Sequence, residues 1–408
     1  MLIIFSAMLS CHSRKSENSA AIFQSVNADS VESEATAMTL YDQAPTVIKA
    51  YQADKMDKIY LSDFADSINS VRLETLDKKN LIGKVDKVLV ADSLIYVLDR
   101  TKNPGVYLFS ISGQYMNKIG DIGQGAGEFA EPTDFCVLGD TVYIYDQYQH
   151  RLNLFNTGGK YLFSRKVPFF CLGFHAFSDS SYLFYALDAD NHHLSTLVNH
   201  SVFLTDSMCS VRRYGFYREH GKYSSIWIPE NFQNVGTSVY YHPPFSAAIY
   251  SIDCQGTIRL KYDIDFGQES LPEEYLLEEN WKRFTDETTQ QKYLLFPGNF
   301  RELESWFYFS YLNNHVTHHG FYCKSDGKLM LAKGVVNNLF KALPFGQVVG
   351  GKENILINVV WPNDILLAAR QTPKKELEKY LGKEGMNFLS LLKEEDNPIL
   401  IFTYLSRQ

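Results

Sequence analysis

Histidines are the residues of this sequence whose chemistry is most apparent, because a neutral imidazole is a common ligand of metal ions. They occur as the pair His192-His193, as His200, and in the run His315-Val316-Thr317-His318-His319. All of them lie in polar, loop-like contexts, and no matching set of carboxylates accompanies them. The sequence therefore predicts no metal site and no cofactor.

Two aspartates, Asp99 and Asp146, could act as catalytic carboxylates. Each, however, ends a strand of the same repeated unit, and a residue that recurs with a repeat usually serves the repeat, whereas function depends on residues that differ. We predict that both cap turns. No Gly-x-Ser-x-Gly nucleophile motif occurs either, so the sequence assigns no catalytic residue.

Three glycines, Gly123, Gly125 and Gly127, have a spacing similar to that of phosphate-binding loops. Such a loop needs the N-terminus of a helix directly after it. Here the sequence continues with a strand pattern, so a tight turn is favoured.

Aromatic side chains in the least repeat-like regions could stack on sugar rings or on a partner protein. These residues, with one neighbouring histidine, are Trp227, Tyr240, Tyr241, His242, Trp306 and Trp361. Packing within or between repeats is the favoured interpretation, so no binding site is assigned to them.

The cysteines form no CxxC or other close pair, which argues against a zinc ribbon or a redox motif. They are Cys11, Cys136, Cys171, Cys209, Cys254 and Cys323. Most lie in apolar runs, which favours buried structural thiols over a disulfide framework.

Cys11 follows an apolar run, Leu2 to Leu9, that is too short to span a bilayer. Met8-Leu9-Ser10-Cys11 resembles a bacterial lipobox, in which the cysteine carries the lipid. The sequence thus predicts a signal peptide over 1–11, lipid attachment at Cys11, and a flexible tether over 12–56. No Lys or Arg precedes the apolar run, and an upstream start codon would account for this.

A strand-turn-strand unit recurs along the rest of the chain. The segment 92–99 parallels 140–146, and the glycine turns that follow, at Gly113 and Gly159, are 46 residues apart. Further units end at Asp206, Gly256 and Gly327, and a last unit contains residues 354–361. A period in the forties is typical of β-propellers, so the sequence predicts an all-β fold with six four-stranded blades.

The predicted propeller covers residues 57–408. The apolar strand Pro398–Leu405 is expected to pair near Ile59–Leu76, because a ring of blades needs a strand to close its edge. Two stretches, at about 271–295 and 373–393, have helical spacing and predict short helical insertions.

The segment Ile122–Pro132 resembles the inter-blade signature of NHL-type propellers, in which a glycine-rich turn leads into Glu-Phe and a proline. Leu81-Ile82-Gly83, Ile264–Gly267 and Asn397–Leu400 are similar to segments of the six-bladed propeller lipoproteins of Bacteroides and relatives. The resemblance covers about residues 57–408 and implies a cell-envelope protein. Its anchor would lie in the outer membrane, on the periplasmic side.

Composition limits the partners. There are 47 acidic and 39 basic residues, for a net charge of −8, and no long basic run, so nucleic acid is excluded as a partner. The favoured function is a binding or scaffold module for an envelope protein, peptide or glycan, with membrane contact only through the lipid anchor. The alternative, implied by the resemblance, is a metal-dependent lactonase or lyase with its site in the central channel.

Overall fold

Short segments rich in β-branched and aromatic residues make this a structure of mainly antiparallel strands. A computed structural model describes residues 19–76, 80–187, 189–217, 232–272, 275, 281–290 and 292–407. Within these residues, the strands form six blade sheets and one small two-stranded ladder. The fold is a six-bladed β-propeller, which confirms the fold class predicted from the sequence.

The first three blades follow the chain order. Blade 1 consists of strands Lys87–Ala91, Leu94–Asp99, Gly105–Ser110 and Tyr115–Ile119. Blade 2 consists of Pro132–Leu138, Thr141–Asp146, Arg151–Asn156 and Tyr161–Lys166. Blade 3 consists of Gly173–Ala176, Tyr182–Tyr185, His200–Thr205 and Val211–Tyr217.

The remaining blades continue the order until the last, which also uses N-terminal sequence. Blade 4 consists of Phe232–Val235, Ser238–Tyr241, Ala248–Asp253 and Thr257–Asp265. Blade 5 consists of Phe300–Glu302, Trp306–Asn313, Val316–Cys323 and Leu329–Val336. Blade 6 consists of Gln347–Lys352, Ile355–Val360, Ile399–Leu405 and Ala65–Arg72. The two-stranded ladder, Asp121–Ile122 with Glu128–Phe129, precedes blade 2.

By contacts, the chain forms two compact units. The first comprises Met1–Ala53, Ile122–Phe300 and Phe309–His318, and the second comprises Asp54–Asp121, Arg301–Tyr308 and His319–Gln408. In the first unit, one apolar cluster joins blades 2 and 3 and another joins blades 3 and 4. In the second unit, a cluster joins blades 6 and 1. Each unit therefore has a core distributed between neighbouring blades.

The repeat in the sequence arises from the turn between the third and fourth strands of a blade. Gly113, Gly159, Gly256 and Gly327 occupy this turn with φ of +89°, +86°, +78° and +73°. Side chains disfavour this left-handed region, which explains why glycine recurs there. Blade 6 lacks the turn because its third and fourth strands come from opposite ends of the chain.

The predicted closing strand is confirmed. Ile399–Leu405 pairs antiparallel with Ala65–Arg72, in a register that joins Ile399 to Arg72 and Leu405 to Ala65. Asn397, just before this strand, is buried. Its side chain accepts from the backbone N–H of Ile82 (2.8 Å) and donates to the carbonyls of Glu74 and Asn80 (both 2.9 Å). This side chain links the two chain ends in blade 6, which explains its place in the Asn-Pro-Ile-Leu segment.

The structure differs from the flexible tether predicted over 12–56. Residues 1–18 lie outside the described residues, but the rest begins with two short helices, α1 (Ser19–Ile22) and α2 (Ala28–Glu32). Four short strands then pair in parallel with the outer strands of three blades. Thr36–Ala37 pairs with blade 3, Thr39–Tyr41 and Thr46–Lys49 pair with blade 4, and Lys55–Tyr60 pairs with blade 5. The backbone hydrogen bonds of these ladders, together with the burial of Phe23, Val31, Ile48 and Ile59, order this segment.

Short 3-10 helices at Ala50–Gln52 and Leu61–Asp63 lie between the strands of this N-terminal segment and blade 6, and a third at Gly267–Glu269 follows blade 4. Of the two predicted helical insertions, the first contains α3 (Trp281–Gln290), and part of its range lies outside the described residues. The second contains α5 (Lys374–Ser390). A further helix, α4 (Pro362–Arg370), was not predicted, although Pro362 stands at its start, where proline is favourable.

Candidate functional site

The glycine-rich segment that resembles the NHL signature forms a closed turn ahead of blade 2. Gly123 N–H donates to the carbonyl of Phe129 (3.0 Å), and Gly125 N–H donates to Oε2 of Glu128 (2.7 Å). Because two of the three glycine amides are used within the turn and a strand follows, this is no phosphate-binding loop. The prediction of a tight turn is confirmed.

Close packing explains two of the glycines. A Cβ on Gly123 would lie 2.0 Å from Oε2 of Glu128. Gly127 has φ of +78°, and a Cβ there would lie 3.0 Å from the side chain of Tyr161 on the outer strand of blade 2. The turn is thus held against blade 2 in a defined position.

The aspartates that end the second strands cap these blades, as predicted. Asp99, fully buried, accepts five backbone N–H groups, those of Gly83, Lys84, Thr101, Lys102 and Asn103, at 2.7 to 3.1 Å. Asp146 accepts the N–H groups of Ala130, Tyr148 and Gln149. Both carboxylates are consumed by the backbone, so neither is available for catalysis.

A groove opens between this turn and the outer two strands of blade 2, with a volume of about 550 Å³. The turn contributes Gly125 and Ala126. The side chains that line it are polar or amphipathic, and they are Gln124, Gln149, Arg151, Tyr161, Ser164 and Lys166. We call this set the blade 2 groove. Its volume falls within the range of small-molecule sites, about 300–1,000 Å³.

Several of the lining side chains are fixed by contacts of their own. Gln149 donates from Nε2 to the carbonyl of Gly123 (2.8 Å), which orients its amide. The ring of Tyr161 packs edge-on to Phe155 at 5.8 Å between centroids, and its hydroxyl lies 3.3 Å from Oγ of Ser164. The groove therefore presents an oriented amide, a positioned aromatic ring and a hydroxyl pair.

Two cations stand at one end of the groove. Arg151 and Lys166 are directly opposite each other in the ladder between the third and fourth strands, and both are exposed. Lys166 Nζ lies 3.3 Å from Oγ of Ser25 on the N-terminal segment. Among the described residues, neither cation forms an ion pair with a carboxylate.

The histidines that were considered as metal ligands do not lie close together. His192 bonds to Asp190, His193 to the carbonyl of Pro168 (2.8 Å), and His315 to Thr289 (3.0 Å). His200 packs between Tyr214 and Tyr217, whereas the His319 ring bonds to the hydroxyl of Tyr308. Within the part of the chain that the structure describes, no three His, Cys, Asp or Glu side chains converge as a metal site would require.

The aromatic residues of the least repeat-like regions are packed in the interior where the structure describes them, which is the interpretation that the sequence favoured. Tyr240, Tyr241 and Trp306 are buried, and Trp361 packs partly buried against the cluster between blades 6 and 1. Trp227 lies outside the described residues. His242 is also buried, bonded through Nε2 to the carbonyl of Ser246 (2.8 Å), and burial lowers its pKa to about 4.

The cysteines from Cys136 onward have no disulfide partner among the described residues. Four of them are buried, and Cys254 is half-buried. Burial raises the pKa of the Cys209 thiol to about 12, so the reactive thiolate is suppressed. Structural thiols, rather than nucleophiles, are what the sequence predicts. Cys11 lies outside the described residues.

A second cavity, of about 610 Å³, lies in the second unit beside the outer strand of blade 6 and the end of α5. Its walls mix apolar side chains such as Phe388 and Leu391 with Arg72 and Asp396. Arg72 donates from Nη1 to the carbonyl of Leu391 (3.3 Å), so its guanidinium partly serves the protein's own backbone. The blade 2 groove is accordingly the stronger candidate.

Sequence reasoning missed the blade 2 groove, although several of its residues stand in segments that identified the repeats. Arg151 and Tyr161 flank the hairpin turn at Gly158-Gly159. Pairing outward from that turn sets Arg151 near Lys166, and two like charges at paired positions are unfavourable unless they serve something else. That pairing is the signal that could have revealed the groove.

Comparison with known proteins identifies the family. The family model described as a domain of unknown function, DUF4934, matches residues 45–404, which is most of the chain. The chain belongs to the DUF4934 family. No curated protein matches its sequence.

Solved structures resemble this DUF4934 protein in fold. A protein of Bacteroides fragilis that is described as exported has a TM-score of 0.73 and 20% identity, covering 89% of this chain and all of its own. A member of the DUF4221 family from Bacteroides vulgatus has a TM-score of 0.47 and 11% identity, covering 84% and 97%. At 20% identity, the likeness to the exported protein of Bacteroides fragilis concerns the fold alone.

No helix among the described residues is long and apolar enough to cross a membrane.

Proposed function

We propose that this DUF4934 protein is a ligand-binding module of the bacterial cell envelope and that the blade 2 groove is its binding site. The observation that carries the proposal is the groove itself, in which an oriented amide, a ring, a hydroxyl pair and two cations converge. Sites of this kind occur where a few placed polar groups line a concave surface. The proposed ligand is an envelope glycan, peptide or protein segment.

The packing of the groove favours binding over catalysis. The carboxylates that flank it, Asp146 and Glu128, accept backbone N–H groups and so hold the blade and the turn together. A rigid frame with exposed polar side chains favours recognition because few groups must be ordered when a ligand arrives.

The proposed location is the cell envelope, with a lipid on Cys11 as the membrane anchor, on the periplasmic side of the outer membrane. It is supported by the lipobox-like sequence and by the fold likeness to a Bacteroides protein described as exported. Cys11→Ala is expected to move the protein from the membrane fraction to the soluble fraction of cells. A variant that stays with the membranes would refute the anchor.

The binding role is tested by thermal shift against a panel of envelope glycans and peptides. A ligand present at about 100 times its Kd adds about 2.7 kcal/mol of stability, which such a scan detects. Ala126→Trp fills the groove from an exposed turn position, so it should abolish the shift given by a true ligand.

The matched control is Lys160→Trp, which adds the same side chain at an exposed position of blade 2 that does not line the groove. It should keep the full shift. A ligand whose shift survives Ala126→Trp binds elsewhere and would overturn the groove as the binding site.

A further inference from the structure

The blade 2 groove carries positive charge that the protein itself does not neutralise. Arg151 and Lys166 face each other across the ladder, although like charges at directly opposed positions destabilise a sheet. Among the described residues no carboxylate forms an ion pair with either side chain, and the Lys166 ammonium contacts only the neutral hydroxyl of Ser25. A pair retained at a cost to the fold points to a role outside the fold.

The surrounding sequence is also depleted of acid. Residues 147–178 contain no Asp or Glu, whereas the whole chain has 47 in 408, about one residue in nine. The same stretch contains Arg151, Lys160, Arg165 and Lys166. A protein with a net charge of −8 therefore has a locally cationic surface on this blade. Such a surface attracts anions and raises their rate of association.

Two carboxylates beside the groove lining do not fill this role. Asp146 is buried and accepts three backbone N–H groups, and Glu128 is tied to the N–H of Gly125. Both are held by the turn and the blade, so neither can swing out to pair with Arg151 or Lys166 without breaking those bonds. A bound anion would be the missing partner.

The remaining side chains indicate what carries the anion. Gln124 and Gln149 each have an amide that can donate and accept, and Ser164 and Tyr161 add hydroxyls with the same dual capacity. Groups of this type match a ligand rich in hydroxyls. The positioned ring of Tyr161 offers an apolar face for a sugar ring. An acidic peptide would instead require pockets for its side chains, and the groove wall is polar apart from Tyr161 and Ala126.

Building on the proposed function, we infer that the blade 2 groove binds an anionic saccharide, that is, a sugar bearing a carboxylate or a sulfate. Arg151 and Lys166 hold the anionic group, since a guanidinium can bind a carboxylate or sulfate through two parallel N–H donors. The amides and hydroxyls on the groove wall bind the sugar hydroxyls. Because both cations are exposed, the interaction weakens as salt rises.

The test uses calorimetric titration of the full chain with four probes. These are a trisaccharide of galacturonic acid, a sulfated galactose trisaccharide, the neutral galactose trisaccharide and a hexapeptide of glutamate. We expect binding of at least one of the two anionic sugars, at least tenfold tighter than the neutral sugar, and about tenfold weaker after either Arg151→Gln or Lys166→Gln. The two anionic sugars distinguish a carboxylate from a sulfate.

Lys160→Gln is the matched control, because it removes the same charge from the same blade outside the groove lining. It should change the affinity less than twofold, and melting temperatures that are not lowered in any of the three variants exclude misfolding. Equal losses in Lys160→Gln would indicate diffuse attraction and overturn the inference.

Other outcomes separate the inference from the proposed function. Preference for the neutral sugar or for the acidic peptide, with binding blocked by Ala126→Trp, would overturn the inference and leave the groove as a binding site. Failure of both anionic sugars to bind would also overturn the inference. Binding of any probe that Ala126→Trp does not block would refute the groove itself.

Discussion

The aspartate that ends the second strand of blade 1 provides a sharp test of how the blades are held. Asp99 accepts five backbone N–H groups, three on Oδ2 and two on Oδ1. Asp99→Asn keeps the shape but replaces one acceptor oxygen by an NH₂ group that can only donate. If the amide nitrogen takes the Oδ1 position, the N–H groups of Thr101 and Lys102 lose their acceptor.

The cost follows from those lost bonds. A hydrogen bond to a charged group contributes about 1.5–3 kcal/mol, so the loss of the two bonds to the buried Asp99 carboxylate should lower the free energy of unfolding by about 4 kcal/mol. Asp146 accepts only three N–H groups, with one on Oδ2, so the amide can be oriented to lose a single bond. Asp146→Asn should therefore cost about 2 kcal/mol.

Urea unfolding followed by circular dichroism measures both values. Asp140→Asn is the control. Asp140 precedes Asp146 in the same blade, its carboxylate is exposed, and among the described residues that carboxylate accepts no backbone N–H group. The control should leave the unfolding midpoint unchanged. If Asp99→Asn behaved like the control, or cost less than Asp146→Asn, the reasoning that these carboxylates serve the backbone would be refuted.

Three further predictions concern stability. In the folded protein the pKa of His242 is lowered to about 4 from its usual 6.5, so its contribution to stability is complete above pH 6.5. The free energy of unfolding should fall by about 3 kcal/mol as the pH drops to 4. His242→Gln keeps a donor for the Ser246 carbonyl and should flatten this part of the pH profile, measured by urea titration. Asn397→Ala leaves the buried N–H of Ile82 and the buried carbonyl of Asn80 without their side-chain partner, whereas the Glu74 carbonyl keeps its bond from the Asn80 amide. The loss should be about 3 kcal/mol in calorimetry, and a loss below about 1 kcal/mol would contradict the linking role of Asn397. Arg151→Gln or Lys166→Gln should raise the unfolding free energy by a few tenths of a kcal/mol, because it relieves like-charge opposition, whereas a clear loss would show that the pair supports the fold.

The repeated parts of the fold could be predicted because each blade needs the same residue types at the same turns. The turn between the third and fourth strands needs a glycine with positive φ, as at Gly113 and Gly159. An aspartate that binds turn amides recurs in the same way, so both residues mark the repeat in the sequence. The closing strand was predictable because Ile399–Leu405 is strongly apolar and a ring needs one strand to pair the ends.

The N-terminal strands could not be predicted in the same way. Thr36 pairs with Arg213 and Leu40 with Ile258, across 177 and 218 residues, and the strands themselves are too short to show a clear apolar pattern. Their order comes from hydrogen bonds to blade edges together with scattered buried side chains such as Ile48 and Ile59, which form no periodic pattern in the sequence. The groove as a whole was hidden for a related reason. The pairing of Arg151 with Lys166 can be inferred from the hairpin, but the position of the turn 123–127 beside that pair cannot.

Hydrogen exchange measured with and without the galacturonic acid trisaccharide tests the central claim most directly. If the blade 2 groove is the binding site, the ligand should slow exchange in the turn 123–127 and the strand 161–166, while blade 4 stays unchanged. Protection confined to other blades, or protection at the groove that persists in Ala126→Trp, would contradict it.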